Sequence, residues 1–168
     1  SDKEEESRKH SVHTPFKMGM CTNCHDPHSS DNKKQLVEAG GALCHTCHGE
    51  DTFTKVKFTH FPAAKGNCLL CHQHHAGEIR KNLQKEVADI CANCHSADTL
   101  GMHHPSGVAP SDKLTVSSDA KEHLDAQGRV TCASCHNPHG TDLPFFLRKS
   151  MEKGSLCVVS VISNISAM

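Results

Sequence analysis

Short helix-forming stretches alternate with turn-forming ones along this chain. Asp31–Ala39, Glu78–Ile90 and Lys121–Ala126 have the composition of helices, whereas the intervening sequence is rich in Gly, Pro, Ser and Asn and reads as loop. The closing run from Val158 to Ile165 is uncharged and β-prone. No stretch approaches the ~20 apolar residues of a membrane span. The pattern predicts a fold of mostly loop with short α-helices and little or no β-sheet.

Composition changes that picture by showing how little the side chains can bury. The 168 residues suffice for one compact domain or two small ones, yet only 36% are apolar and 4% aromatic, with no Trp or Tyr. With a mean hydropathy of -0.51, side chains alone would make a thin core, so something else must fill the interior. Against this poverty stand 11 Cys and 16 His. The net charge of -1 argues against a nucleic-acid binder, whose phosphate contacts need a clear Lys/Arg surplus. Ser1-Asp2-Lys3-Glu4-Glu5-Glu6 is polar, so an export signal is expected to be absent or already removed.

Ten of the cysteines fall into five C-x-x-C pairs, each followed at once by a histidine: Cys21/Cys24/His25, Cys44/Cys47/His48, Cys68/Cys71/His72, Cys91/Cys94/His95 and Cys132/Cys135/His136. C-x-x-C-H is the attachment signature of c-type haem. Two thiols add to the two vinyl groups on one porphyrin edge, and the adjacent imidazole becomes the proximal axial ligand. Five histidines at the same offset arise by composition alone with a probability on the order of one in a hundred thousand. Zinc takes tetrahedral sets of four and has no use for a His after every second Cys. A disulfide across C-x-x-C would staple almost nothing, and a thioredoxin-like motif occurs singly beside a βαβ pattern. The expected cofactors are therefore five haem c groups.

The motifs recur in pairs, with 23 residues from Cys21 to Cys44 and again from Cys68 to Cys91. In the first member of each pair another His follows three residues after the proximal one: His28, His75 and His139. On one helical turn such neighbours share a face, so the second cannot clasp the iron of the first. His28 and His75 are expected to ligate the haem of the next motif. His13 and His60, each with a proline two residues on, precede their motifs by eight residues and are expected to reach the haem just downstream. In the third unit His104 and His123 compete for that role. His104 is preferred because it keeps the His-Pro dipeptide, while His123 sits in a stretch that reads equally well as a solvated helical face.

The chain thus reads as one multihaem domain built of repeats 13–48 and 60–95, an incomplete repeat 104–157, and a tail 158–168. Where a sixth motif belongs stands Cys157-Val158-Val159-Ser160-Val161, which cannot hold an ordinary haem. This leaves His139 either on the surface or donated to a neighbouring molecule, and the tail as a candidate for self-association.

These residues closely resemble the multihaem c-type cytochromes with doubled CxxCH motifs, a group that includes the pentahaem electron donor to periplasmic nitrite reductase and cytochromes of extracellular respiration. The match covers roughly residues 13 to 157; Cys24-His25-Asp26-Pro27-His28 and Cys135-His136-Asn137-Pro138-His139 are its most specific marks. His103-His104-Pro105-Ser106-Gly107 also looks like the family's linker. The resemblance implies bis-histidine haems in a stacked chain, covalent maturation, and residence in the periplasm or at the cell surface.

Closed axial positions suit each iron to moving one electron, so the expected function is electron transfer between redox partner proteins and not catalysis. The rival is a reductase of nitrite, hydroxylamine or a sulfur oxyanion, which needs one open iron. Met18, Met20 and Met102 lie near motifs and read as gap-filling contacts. His10, His45, His74 and His103 read as solvent-facing or as supports for ligands. Because the porphyrins replace the core, the chain without haem is expected to be unfolded.

Overall fold

The computed structural model describes residues 2–96, 106–110 and 118–150. His103, His104, Met102, Cys157 and the β-prone tail lie outside them. Within the described residues the fold is loop punctuated by one-turn helices, with two antiparallel sheets of two strands each. The chain forms two compact units: one draws on the residues up to Lys55 and on Phe61–Lys85, the other on Val56–His60 and the chain from Glu86 onward. The second repeat is therefore divided between the units, its first motif in one and its second in the other.

Each sheet joins segments of different repeats. Strand β1 (Ser11–Val12) pairs with β3 (Ala76–Gly77), and β2 (Phe58–Thr59) pairs with β4 (Gly140–Thr141). In both cases the strand just before an upstream histidine lies against the strand just after the x-x-His extension of the following repeat. The ladders extend into the histidines: the His13 amide donates to the His75 carbonyl (2.8 Å), and that of His60 to the His139 carbonyl (3.3 Å). The β2/β4 approach needs glycine at 140. Its φ is +139°, and a Cβ there would stand 2.6 Å from the Phe58 oxygen and 2.9 Å from Val56 Cγ2. Gly140→Ala is expected to destabilise the haem-loaded protein by about 1–3 kcal/mol, read as a lowered thermal midpoint.

The helices answer local signals. Thr14–Lys17 starts on Pro15, and Phe61–Ala64 carries Pro62 in its first turn, where the missing amide costs nothing. The three helices expected from composition do not form as such. Asp31–Ala39 holds only the 3-10 turn Lys33–Gln35; Glu78–Ile90 holds the 3-10 turn Arg80–Asn82 and the start of Val87–Ala92; the third is displaced to Ser118–Lys121. Lys34 and Lys81 adopt positive φ, which ends any α-helix there.

Among the described residues Ala76 is the one buried apolar side chain. Thr131 and Ser134 are buried as well, and both hydroxyls donate to the His123 carbonyl, at 2.7 and 3.0 Å. The large apolar side chains Met18, Met20, Phe61, Leu69, Leu70 and Phe145 are exposed instead, and all but Phe145 lie within eight residues upstream of a motif or inside one.

Candidate functional site

All five C-x-x-C-H motifs close into one turn held by the same bond. The histidine amide donates to the carbonyl of the first cysteine: 2.9 Å at His25, His48 and His95, and 3.0 Å at His72 and His136. This i to i-4 closure brings both cysteines and the histidine to one face, the arrangement that attachment at one porphyrin edge demands. None of the ten cysteines is in a disulfide, and none is buried.

The first motif of each repeat carries a further device. The Nδ1 atoms of His25, His72 and His136 donate to the carbonyls of Lys34 (2.9 Å), Lys81 (3.0 Å) and Phe145 (2.6 Å), in every case nine residues downstream. A carbonyl only accepts, so the ring proton is fixed on Nδ1 and the lone pair on Nε2 is left for a metal. The accepting residues begin left-handed doublets: Lys34–Gln35 (φ 62° and 55°), Lys81–Asn82 (61° and 52°) and Phe145–Phe146 (57° and 56°). Side chains in this region cost about 1–2 kcal/mol each, and the same strain at the same place three times marks a functional demand. Lys81→Gly is expected to be nearly neutral, because relief of strain offsets the ~0.5–1 kcal/mol entropy cost of glycine. Lys81→Val is expected to lower the thermal midpoint clearly, since a β-branched residue tolerates positive φ worst.

Distal candidates are held by equivalent contacts. His75 Nδ1 donates to Glu6 Oε2 at 3.1 Å, and Phe16 stacks on its ring at 4.6 Å. His60 Nδ1 donates to the Pro138 carbonyl at 2.7 Å, with the Phe146 ring 5.4 Å away. Burial lowers the pKa of His13 and favours its neutral, ligating form.

His13 lies 6.1 Å from His48, centroid to centroid. His60 lies 6.1 Å from His95. His75 lies 6.1 Å from His25, the motif of the preceding repeat. The expected helical turn through His25 and His28 is absent: His25, His72 and His136 form isolated bridges to Leu36, Leu83 and Leu147, and Asp26 and Asn137 then turn the chain by accepting the amides of His28 (2.8 Å) and His139 (3.1 Å). His28 is exposed and its ring has no partner among the described residues, whereas His139 is half-buried. His45, expected to face solvent or to support a ligand, has its Nδ1 on the His48 carbonyl (3.1 Å); His10 and His74 are exposed.

Neighbouring motifs meet at their first cysteines. The Cys44 thiol lies in hydrogen-bonding contact with that of Cys68, and burial together with the Cys68 charge pushes Cys44 up to about 11. Cys91 hydrogen-bonds Cys132, and with help from Ser106 draws that thiol down to about 6. Sequence reasoning missed Glu6, Phe16, Phe146 and the three accepting carbonyls. Only the ninefold offset to Lys34, Lys81 and Phe145, each followed two residues on by a leucine, could have signalled the last group.

The donor set fits haem c: paired thiols beside an imidazole, with exposed apolar side chains nearby and almost no core among the described residues. No helix among the described residues is long and apolar enough to cross a membrane. No curated protein matches the chain. A family profile described as the doubled CXXCH motif matches residues 13–53, 60–100 and 123–159. The three matches begin at His13, His60 and His123. With more than two thirds of its length matched, the chain belongs to the doubled CXXCH motif family, whose motif is that of haem c attachment.

Proposed function

We propose that this chain is a pentahaem electron-transfer cytochrome working in the periplasm or at the cell surface, passing electrons between redox partner proteins. The observation that carries the reading is the identical closure of all five C-x-x-C-H turns, which presents ten thiols and five imidazoles in the arrangement haem attachment requires. Bound haem c supplies a reversible one-electron couple at each motif. Cys21, Cys24, Cys44, Cys47, Cys68, Cys71, Cys91, Cys94, Cys132 and Cys135 form the thioethers, and His25, His48, His72, His95 and His136 are the proximal ligands. His13, His60 and His75 act as distal ligands, fixed by the carbonyls, carboxylate and rings described above; His28 and His104 complete the candidate set on sequence spacing alone.

The contacts Cys44/Cys68 and Cys91/Cys132 support close haem spacing, because each brings the attachment edges of two macrocycles together. Fixing ring orientation through Nδ1 also limits the reorganisation that accompanies each change of charge. Pyridine haemochrome counting with intact-mass measurement is expected to give five haems per chain, and the oxidised protein an entirely low-spin EPR spectrum. A stoichiometric high-spin signal would move the reading to a reductase with an open iron. Fewer than five haems would overturn the pentahaem assignment itself.

A further inference from the structure

We infer that one distal ligand crosses between repeats while two stay within their own: the haem on Cys21 and Cys24 is held between His25 and His75 of the next repeat, that on Cys44 and Cys47 between His48 and His13, and that on Cys91 and Cys94 between His95 and His60. The inference rests on the haem reading above and assigns each of these irons its second ligand.

Distance carries the argument. A histidine nitrogen binds a transition metal at about 2 Å, and the ring centre lies ~1 Å further out, so two imidazoles on opposite sides of one iron have centroids about 6 Å apart. The three pairs all stand at 6.1 Å. Rings stacked in direct contact approach more closely, as Phe16 and His75 do at 4.6 Å.

Angle separates the two explanations further. Stacking constrains the interplanar angle, whereas two ligands on one metal axis can each rotate about it. The pairs show 18°, 27° and 51° at one fixed separation. Tautomer agrees, since His25, His75 and His60 all have Nδ1 engaged and Nε2 left over.

The backbone explains how ligands cross between repeats. Strand β1 against β3 sets His13 and His75 side by side, so that each serves a different iron of the first repeat. One of these ligands comes from within that repeat and the other from the next. The division of the chain follows the same line, because Phe61–Lys85, which carries His75, belongs to the unit of the first repeat.

The test uses the haem-loaded full chain. His75→Ala is expected to retain five haems by mass and to convert one of the five from low to high spin. Combined with Cys21→Ala and Cys24→Ala, which remove the first haem, His75→Ala is expected to add no high-spin signal; combined with Cys91→Ala and Cys94→Ala, the signal is expected to persist. The reverse pattern, or an unchanged spectrum in His75→Ala alone, overturns the assignment while leaving the haem count, and so the pentahaem reading, intact. Should the cysteine variants fail to fold, His75→Met provides a second route. Its methionine methyl, shifted far upfield in the reduced protein, is expected to show through-space contacts to the His25 ring by NMR, and contacts to any other proximal ring would refute the pairing.

Discussion

Chain produced without haem attachment is expected to show no cooperative thermal transition and a far-ultraviolet circular dichroism spectrum close to that of a random coil. Ordering a residue costs about 1–2 kcal/mol of backbone entropy. Against this the described residues offer one buried apolar side chain, Ala76, worth on the order of 1 kcal/mol. The helices supply no rescue, since the longest have six residues and isolated helices below ~12–15 residues are marginal in water. Each two-residue strand pair is equally dependent on its surroundings. What remains is attachment itself: Leu69, Leu70 and Phe61 are exposed in the polypeptide, and under the proposed ligation bound macrocycles would cover such side chains and tie distant segments together. A sharp unfolding transition in the haem-free chain would show that the polypeptide carries its own core.

The five motifs and their pairing were legible because covalent attachment demands fixed spacing, and spacing is what a sequence displays directly. The scarcity of sheet among the described residues was legible for a related reason: Gly, Pro, Ser and Asn recur between the motifs and leave little room for long strands. Which histidine rings stand together was not legible, because it is decided by tertiary pairing between segments as far apart in the chain as Phe58 and Thr141. Proximity along the chain suggested that His13 serves the motif just after it, yet strand β1 is tethered to the second repeat and carries His13 to His48. The helix at Asp31–Ala39 failed for a similar reason. Lys34 favours a helix intrinsically, but its carbonyl is recruited by His25, and the backbone turns left-handed to deliver it. In each case a tertiary contact of a motif or upstream histidine overrode what the local sequence favours, which is where sequence-level consistency is expected to break.

Gly41→Ala is expected to lower stability about as much as Gly140→Ala, and at a point closer to two motifs. A Cβ at this position would lie 2.5 Å from Gly66 Cα, 2.7 Å from its oxygen and 3.0 Å from its carbonyl carbon. All three are backbone atoms, so no side-chain rotation relieves the clash, and the two segments must separate. The segments are the helix Gly40–His45, which carries the second motif, and the turn leading into the third. Overpacking of this kind costs about 1–3 kcal/mol, or a fall of roughly 2–4 °C in thermal midpoint per kcal/mol for a chain of this size. The same displacement draws Cys44 away from Cys68 and so widens the gap between the second and third haems. Both readouts are needed: the melting temperature of the haem-loaded variant is expected to drop with all five haems still attached, and magnetic coupling between neighbouring irons in its EPR spectrum is expected to weaken. A variant that melts like the parent with unaltered coupling would mean that the two motifs do not depend on this backbone crossing for their spacing.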